Sequence, residues 1–366
     1  MTSLFDRLKA VHTELGDILT QMKSSPPQKS AGPRTYQLSG TLHHEYSTID
    51  PWSVYHTYML LQHGYDGTVG LHNEVGLPIR ILPPIEVNSS SAPRWSRKED
   101  HLFTFFSYQS NQLKQYNAQT DKVEVIKTFS QYKKITEGVS AAKAEVSFDG
   151  EHRVLCGDDR EVFVYNMKSD QTYLPRVIPQ NSGQVSLYMT PDNNVLWLTD
   201  QGTQLFDING KFLRQIARVS GHSMPCRDQN GDEVLIWTNA AENPVTLPDY
   251  QNGIIKIRLA DAQQQGLLAI GWSKKDPPEH QAVHISCPDQ EGWCLVTTYT
   301  PANDRSTDPL SNSLLKVSFD GKGYDILGKH GGQNLGDYKE MPKASVSHDG
   351  SRYCYTRHTD EVIVTL

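Results

Sequence analysis

Cysteine is sparse in this chain of 366 residues and badly placed for cross-linking. The five cysteines, Cys156, Cys226, Cys287, Cys294 and Cys354, form no CxxC pair and no Cys/His ligand spacing, and an odd number excludes complete internal pairing. Buried thiols in a reducing compartment are expected instead of a disulfide scaffold. Long apolar runs are missing too. Nothing is long enough to cross a bilayer and the first residues hold no apolar signal core, so membrane insertion is not expected, and the chain reads as cytoplasmic or assembled there into a larger particle. Positive charge is in deficit, with 35 Lys and Arg against 42 Asp and Glu. That balance argues against binding along a nucleic-acid backbone. The sequence also lacks a glycine-rich phosphate loop after a strand, a G-x-S-x-G elbow, an HExxH pair and EF-hand spacing, which removes the commonest nucleotide, hydrolase and metal signatures. Helical periodicity is nearly absent after residue 25.

What remains is a recurring pattern: a small or aromatic residue, a polar one, Asp or Asn near Gly, then three to five apolar or aromatic residues. It occurs in RWSRKEDHLFTFFS (94–107), EVSFDGEHRVLCG (145–157), YMTPDNNVLWLT (188–199), CRDQNGDEVLIWT (226–238), CPDQEGWCLVTTY (287–299) and SVSHDGSRYCYTR (345–357). Each copy reads as strand, tight turn, strand, because Asp and Asn bond their own backbone and Gly accepts a positive φ. A weaker copy, TIDPWSVYHTYMLLQ (48–62), comes first and has lost its Asp-Gly turn. Seven units at this period predict an all-β, seven-bladed β-propeller over residues 34–366. The strand RTYQLSG (34–40) has no hairpin partner and is expected to complete the last blade beside DEVIVTL (360–366), closing the ring.

Ahead of the repeats, Leu4, Leu8, Val11, Leu15, Ile18 and Met22 fall at heptad spacing, predicting an amphipathic helix over 1–24. A Pro-, Ser- and Gly-rich linker follows at 25–33 and reads as an extended tether. A lone helix this short needs its apolar stripe covered, by self-association, by a partner protein or by the propeller flank.

The later repeats carry a resemblance. GHSMPCRDQNGDEVLIW (221–237), HISCPDQEGWCLVTTY (284–299), LLKVSFDGKG (314–323) and PKASVSHDGSRYCYTR (342–357) resemble bacterial WD-like β-propeller proteins of unsettled activity, over roughly the last 150 residues. A more distant similarity is to oligogalacturonate-lyase-type propellers, which implies a soluble seven-bladed fold. Those lyases place a His-rich metal site partly on the last blade. The matching stretch here, MPKASVSHDG (341–350), lacks the His pair, so neither metal nor cofactor is expected.

Residues just ahead of each turn should lie on the innermost strands, with alternate side chains toward the axis. One window per blade gives His43, His44 and Tyr46, then Arg94, then Lys143 and Glu145, then Gln184, then His222 and Met224, then His284, then Lys343 as candidates for a channel mouth. His44, Arg94, Lys143, His222, His284 and Lys343 would bind a ligand, and their cationic and imidazole groups suit an anionic glycan such as a uronic-acid sugar. For β-elimination, Arg94 or Lys343 would neutralise the substrate carboxylate, His222 or His284 would take the proton and Tyr46 would return one. Structural readings stand beside these: His222 in a Gly-His placement that ties strands together, His284 on a buried strand, the lysines solvated. Two functions are expected to compete. One is a noncatalytic binding or interaction module tethered by its helix to an oligomer or larger assembly, such as a virion or tail-fibre attachment protein. The alternative is a polysaccharide lyase acting at the channel mouth.

Overall fold

The computed structural model describes residues 33–40, 42–44, 46–63, 68–83, 93–107, 110–133, 135, 146–157, 160–177, 185–199, 202–218, 222–238, 247–250, 253–270, 282–299, 310–331, 341–357 and 360–366. The heptad segment, the linker and Lys143 lie outside these residues. Among the described residues seven sheets follow one another, six of four strands and one of three. In the three-stranded third blade, the isolated bridge of Val146 to Arg153 stands where the others have an inner strand. Blades 1 to 7 begin at Leu42–His43, Arg94–Trp95, the Val146 bridge, Val185–Met189, Ser223–Arg227, Ala282–Ser286 and Ser345–Val346. The fold is a seven-bladed β-propeller, as the turn pattern predicts.

The turns explain the recurrence. In blade 3 the Gly150 amide donates to the Ser147 carbonyl at φ +72°, while Ser147 Oγ accepts the His152 amide at 2.9 Å. In blade 7 the Gly350 amide bonds Ser347 in the same way, and in blade 4 Asn193 fills the left-handed position at φ +62°. Blade 1, which lost its Asp-Gly pair, keeps the geometry. There His56 takes φ +61° and its amide bonds the Ser53 carbonyl. Histidine tolerates this region better than most residues but not freely.

Burial falls from the axis outward. The strand His152–Cys156 is buried throughout, whereas the outer strand Lys122–Thr128 is mostly exposed. There is no single core. The apolar side chains of adjacent blades interlock in a separate cluster at each seam, because each blade buries its faces only against its neighbours. Among the described residues the richest cluster joins blades 5 and 6, where Cys226, Cys287 and Cys294 meet although the sequence scatters them. Burial pushes the Cys287 thiol well up, reinforced by those two neighbours, which keeps it inert. All five cysteines are buried and none forms a disulfide. Among the described residues the smallest of these seven seam clusters joins blades 7 and 1, with Leu42, Trp52, Met59, Leu61, Cys354 and Ile363.

The last sheet runs Arg34–Leu38, Asp360–Thr365, Arg352–Arg357, Ser345–Val346. A strand from the beginning of the propeller thus lies at the outer edge of its final blade. No helix among the described residues is long and apolar enough to cross a membrane.

Candidate functional site at the axial channel

The inner strands carry side chains to the axis in successive layers, because alternate residues of a strand share a face. In the first layer Tyr46 of blade 1, His284 of blade 6 and His222 of blade 5 form a column. The Tyr46 ring meets His284 edge-on at 5.4 Å, and His284 stacks on His222 at 5.1 Å with 16° between planes. His284 and Tyr46 are buried and His222 is exposed, so solvent reaches the column through His222. Ile285, between the axial positions of its strand, turns into the blade 5 and 6 core.

Behind this column sits a buried polar group that the sequence places at the channel mouth. His44 is fully buried, with Nδ1 2.7 Å from Glu361 Oε1 and Nε2 against the Lys343 carbonyl. Both ring nitrogens face oxygens. Glu361 Oε2 accepts a bond from Thr356 Oγ1 at 3.2 Å. Lys343 is 1% exposed, and neither it nor His44 is accessible to a ligand from solvent. His43 lies alongside, bonded to Gln62 Oε1 at 3.0 Å. Burial first, then the Lys343 charge, lowers its pKa to about 4, so it stays neutral at physiological pH.

One layer deeper, Thr48, Arg94, Met224 and Ser286 line a small cavity of about 40 Å³. Arg94 is buried there and does not join the histidine column. The cavity continues to a charged network that sequence reasoning missed. Arg97 Nη1 donates to both carboxylate oxygens of Asp289 at 3.1 and 2.9 Å, and Asp50 Oδ2 accepts from the His348 backbone amide at 2.8 Å and meets its Nδ1 at 3.0 Å. Burial raises the Asp289 pKa against the opposing charges of Arg97 and His348. The signal was in the repeat: Arg97 and His348 each follow the Ser that opens their turn, and this position converges on the axis.

Structures similar in fold include an oligogalacturonate lyase in complex with manganese, 13% identical with a TM-score of 0.62, covering 92% of this chain and 94% of that one. Oligogalacturonate lyase from Vibrio parahaemolyticus is 12% identical with a TM-score of 0.62, over the same shares of the two chains. No protein-family model and no curated protein matches the chain. At such identity the likeness establishes the seven-bladed fold alone. Manganese favours oxygen-rich octahedral sites. Among the described residues the donor group that comes together is His44, Cys354 and Glu361, with a thiol in place of oxygen and both imidazole nitrogens already hydrogen-bonded. These residues do not fit that ion.

Proposed function

We propose that this propeller is a noncatalytic binding module that takes an anionic saccharide, of the uronic-acid class, at the His222 end of its axial channel. The observation that carries the reading is the Tyr46–His284–His222 column, three rings from three blades held in contact on the axis. The exposed His222 ring, backed by His284, offers its outer face to a sugar and its imidazole to a carboxylate. Binding is favoured over turnover because the cations that elimination needs are withdrawn: Lys343 is buried, and Arg94 lines the deeper cavity. Titration calorimetry with uronate oligosaccharides tests it. His222→Ala is expected to weaken binding by about tenfold or more while changing unfolding free energy by less than about 0.5 kcal/mol, since the side chain is exposed. Binding that survives the substitution unchanged would remove the column as the ligand site.

The second reading, a polysaccharide lyase, draws on the fold likeness to oligogalacturonate lyases. In it His222 takes the proton and Tyr46 returns one. Growth of unsaturated product during the same titrations would decide for it.

The heptad spacing of Leu4 to Met22 supports a stem that gathers several such heads, or docks one, so that weak sites act together. Removing residues 1–24 is expected to lower an oligomeric solution mass to that of one chain, or to abolish partner docking. Light scattering that gives the same association state, with partner binding intact, would end the stem proposal.

A further inference from the structure

Blades 7 and 1 are joined unlike the other blades. Three imidazole–carboxylate pairs cross this seam: His44 with Glu361 at 2.7 Å, His348 with Asp50 at 3.0 Å and His56 with Asp349 at 3.3 Å. Elsewhere among the described residues, ion pairs between blades use permanent cations. Arg80 meets Asp121 between blades 1 and 2, Lys98 meets Glu151 and Lys127 meets Asp170 between blades 2 and 3, and Arg227 meets Asp192 between blades 4 and 5. The same seam has the smallest apolar seam cluster among the described residues, so its polar contacts carry a larger share of its closure. The Ser345 hydroxyl adds a neutral bond across it, to the Ile49 carbonyl at 2.7 Å, and one permanent cation reaches over as well, Arg352 Nη1 donating to the Glu74 carbonyl at 3.4 Å.

We propose that the seam between blades 7 and 1 carries a pH-operated latch in its His348–Asp50 pair, closed while the imidazole is protonated against the ionised carboxylate and loosened as the medium turns alkaline. The surroundings of each pair bear on the sign. His348 faces Asp50, Asp289, Arg97 and the His56 ring. Burial opposes its charge, but the Asp50 hydrogen bond and charge outweigh that and hold its pKa above the usual imidazole value. Its contribution is therefore fully present below about pH 6.5 and lost as pH rises through the raised value. His44 faces Glu361, the Lys343 carbonyl, Lys343, His43 and the Cys354 thiol. Asp349 faces His56, Ser347, Ser351 and Arg352, and its pKa is strongly depressed: burial opposes this, but the hydrogen bonds from His56 and its own turn prevail. It stays ionised across the alkaline range, so opening follows His348. Asp50 and His348 also line the channel cavity, which ties the latch to the interior of the binding head.

Hydrogen exchange of the full chain, followed by mass spectrometry and expressed as protection factors, tests this. Between about pH 6 and about pH 9, protection of Arg34–Leu38, Leu42–His43 and Asp360–Thr365 is expected to fall about tenfold or more, while Val195–Thr199 inside blade 4 stays within about twofold. Equal changes in both sets, or none, would overturn the latch. Asp50→Asn removes one pair, and its seam strands are expected to show at about pH 6 the low protection of the parent at about pH 9. Protection identical to the parent at both pH values would overturn it equally.

Discussion

Replacing Glu361 with Ala is expected to lower the unfolding free energy by about 3–5 kcal/mol, the usual cost of removing one partner from a buried ion pair. Glu361 and His44 are both fully buried, so no water replaces the lost oxygen. Thr356 Oγ1 loses its acceptor at the same time. Since domains commonly hold about 5–15 kcal/mol in total, the variant would keep little margin. Glu361→Gln retains the shape and the Thr356 bond and should lose markedly less. Urea denaturation checks both, with the midpoint falling at constant slope. If Glu361→Ala unfolds at the parent midpoint, the carboxylate contributes nothing to the seam.

Acid should destabilise the protein well before its carboxylates protonate. Burial lowers His43 and His330 to about 4, against about 6.5 in the unfolded chain. The unfolded state therefore binds protons at both sites as pH falls below about 6.5, and the folded state does so only near about 4. Stability is fully present above that window and lost across it. Each histidine accounts for about 3 kcal/mol over the whole window, and about 2 kcal/mol by about pH 5. His348, raised by Asp50, works in the opposite direction and returns part of this. His330 donates through Nε2 to the Thr298 carbonyl at 2.7 Å, a bond that a glutamine amide can imitate. His330→Gln should accordingly flatten about half of the pH dependence in denaturant melts at about pH 7 and about pH 5. A parent protein equally stable at both would refute the buried neutral state of these rings.

The blades were readable because most of their turns repeat one local solution, a left-handed residue three positions after a Ser, Thr or Asp, and local chemistry leaves a mark in local sequence. Blades 1 and 2 show the limit of that mark, since His56 holds the position that Gly or Asn fills elsewhere and the turn after Ser96 has no left-handed residue. Tyr46, His284 and His222 each precede the turn of their blade, which marks them as candidates for the axis, but that their rings meet was not legible in the sequence. Nor was the fate of His44 and Lys343. Their surroundings depend on Glu361, 317 positions from His44, and nothing in either local pattern points to the other. The network of Arg97, Asp50, Asp289 and His348 lay hidden for a related reason: charges in turns ordinarily face water, and only the convergence of seven turns on one axis turns these inward.

A last consequence concerns synthesis on the ribosome. Gln37 in the outermost strand of the final blade bonds Asp360 at 2.6 Å, 323 positions later. At roughly 5–20 residues per second, that partner emerges roughly 15–65 s after its mate. For that interval Leu42, Trp52, Met59 and Leu61 have no final blade to cover them. The nascent chain thus carries an apolar flank and an unmated strand through most of its own translation, and its yield in the cell will depend on the holdases that meet it there more than on the strength of the finished ring.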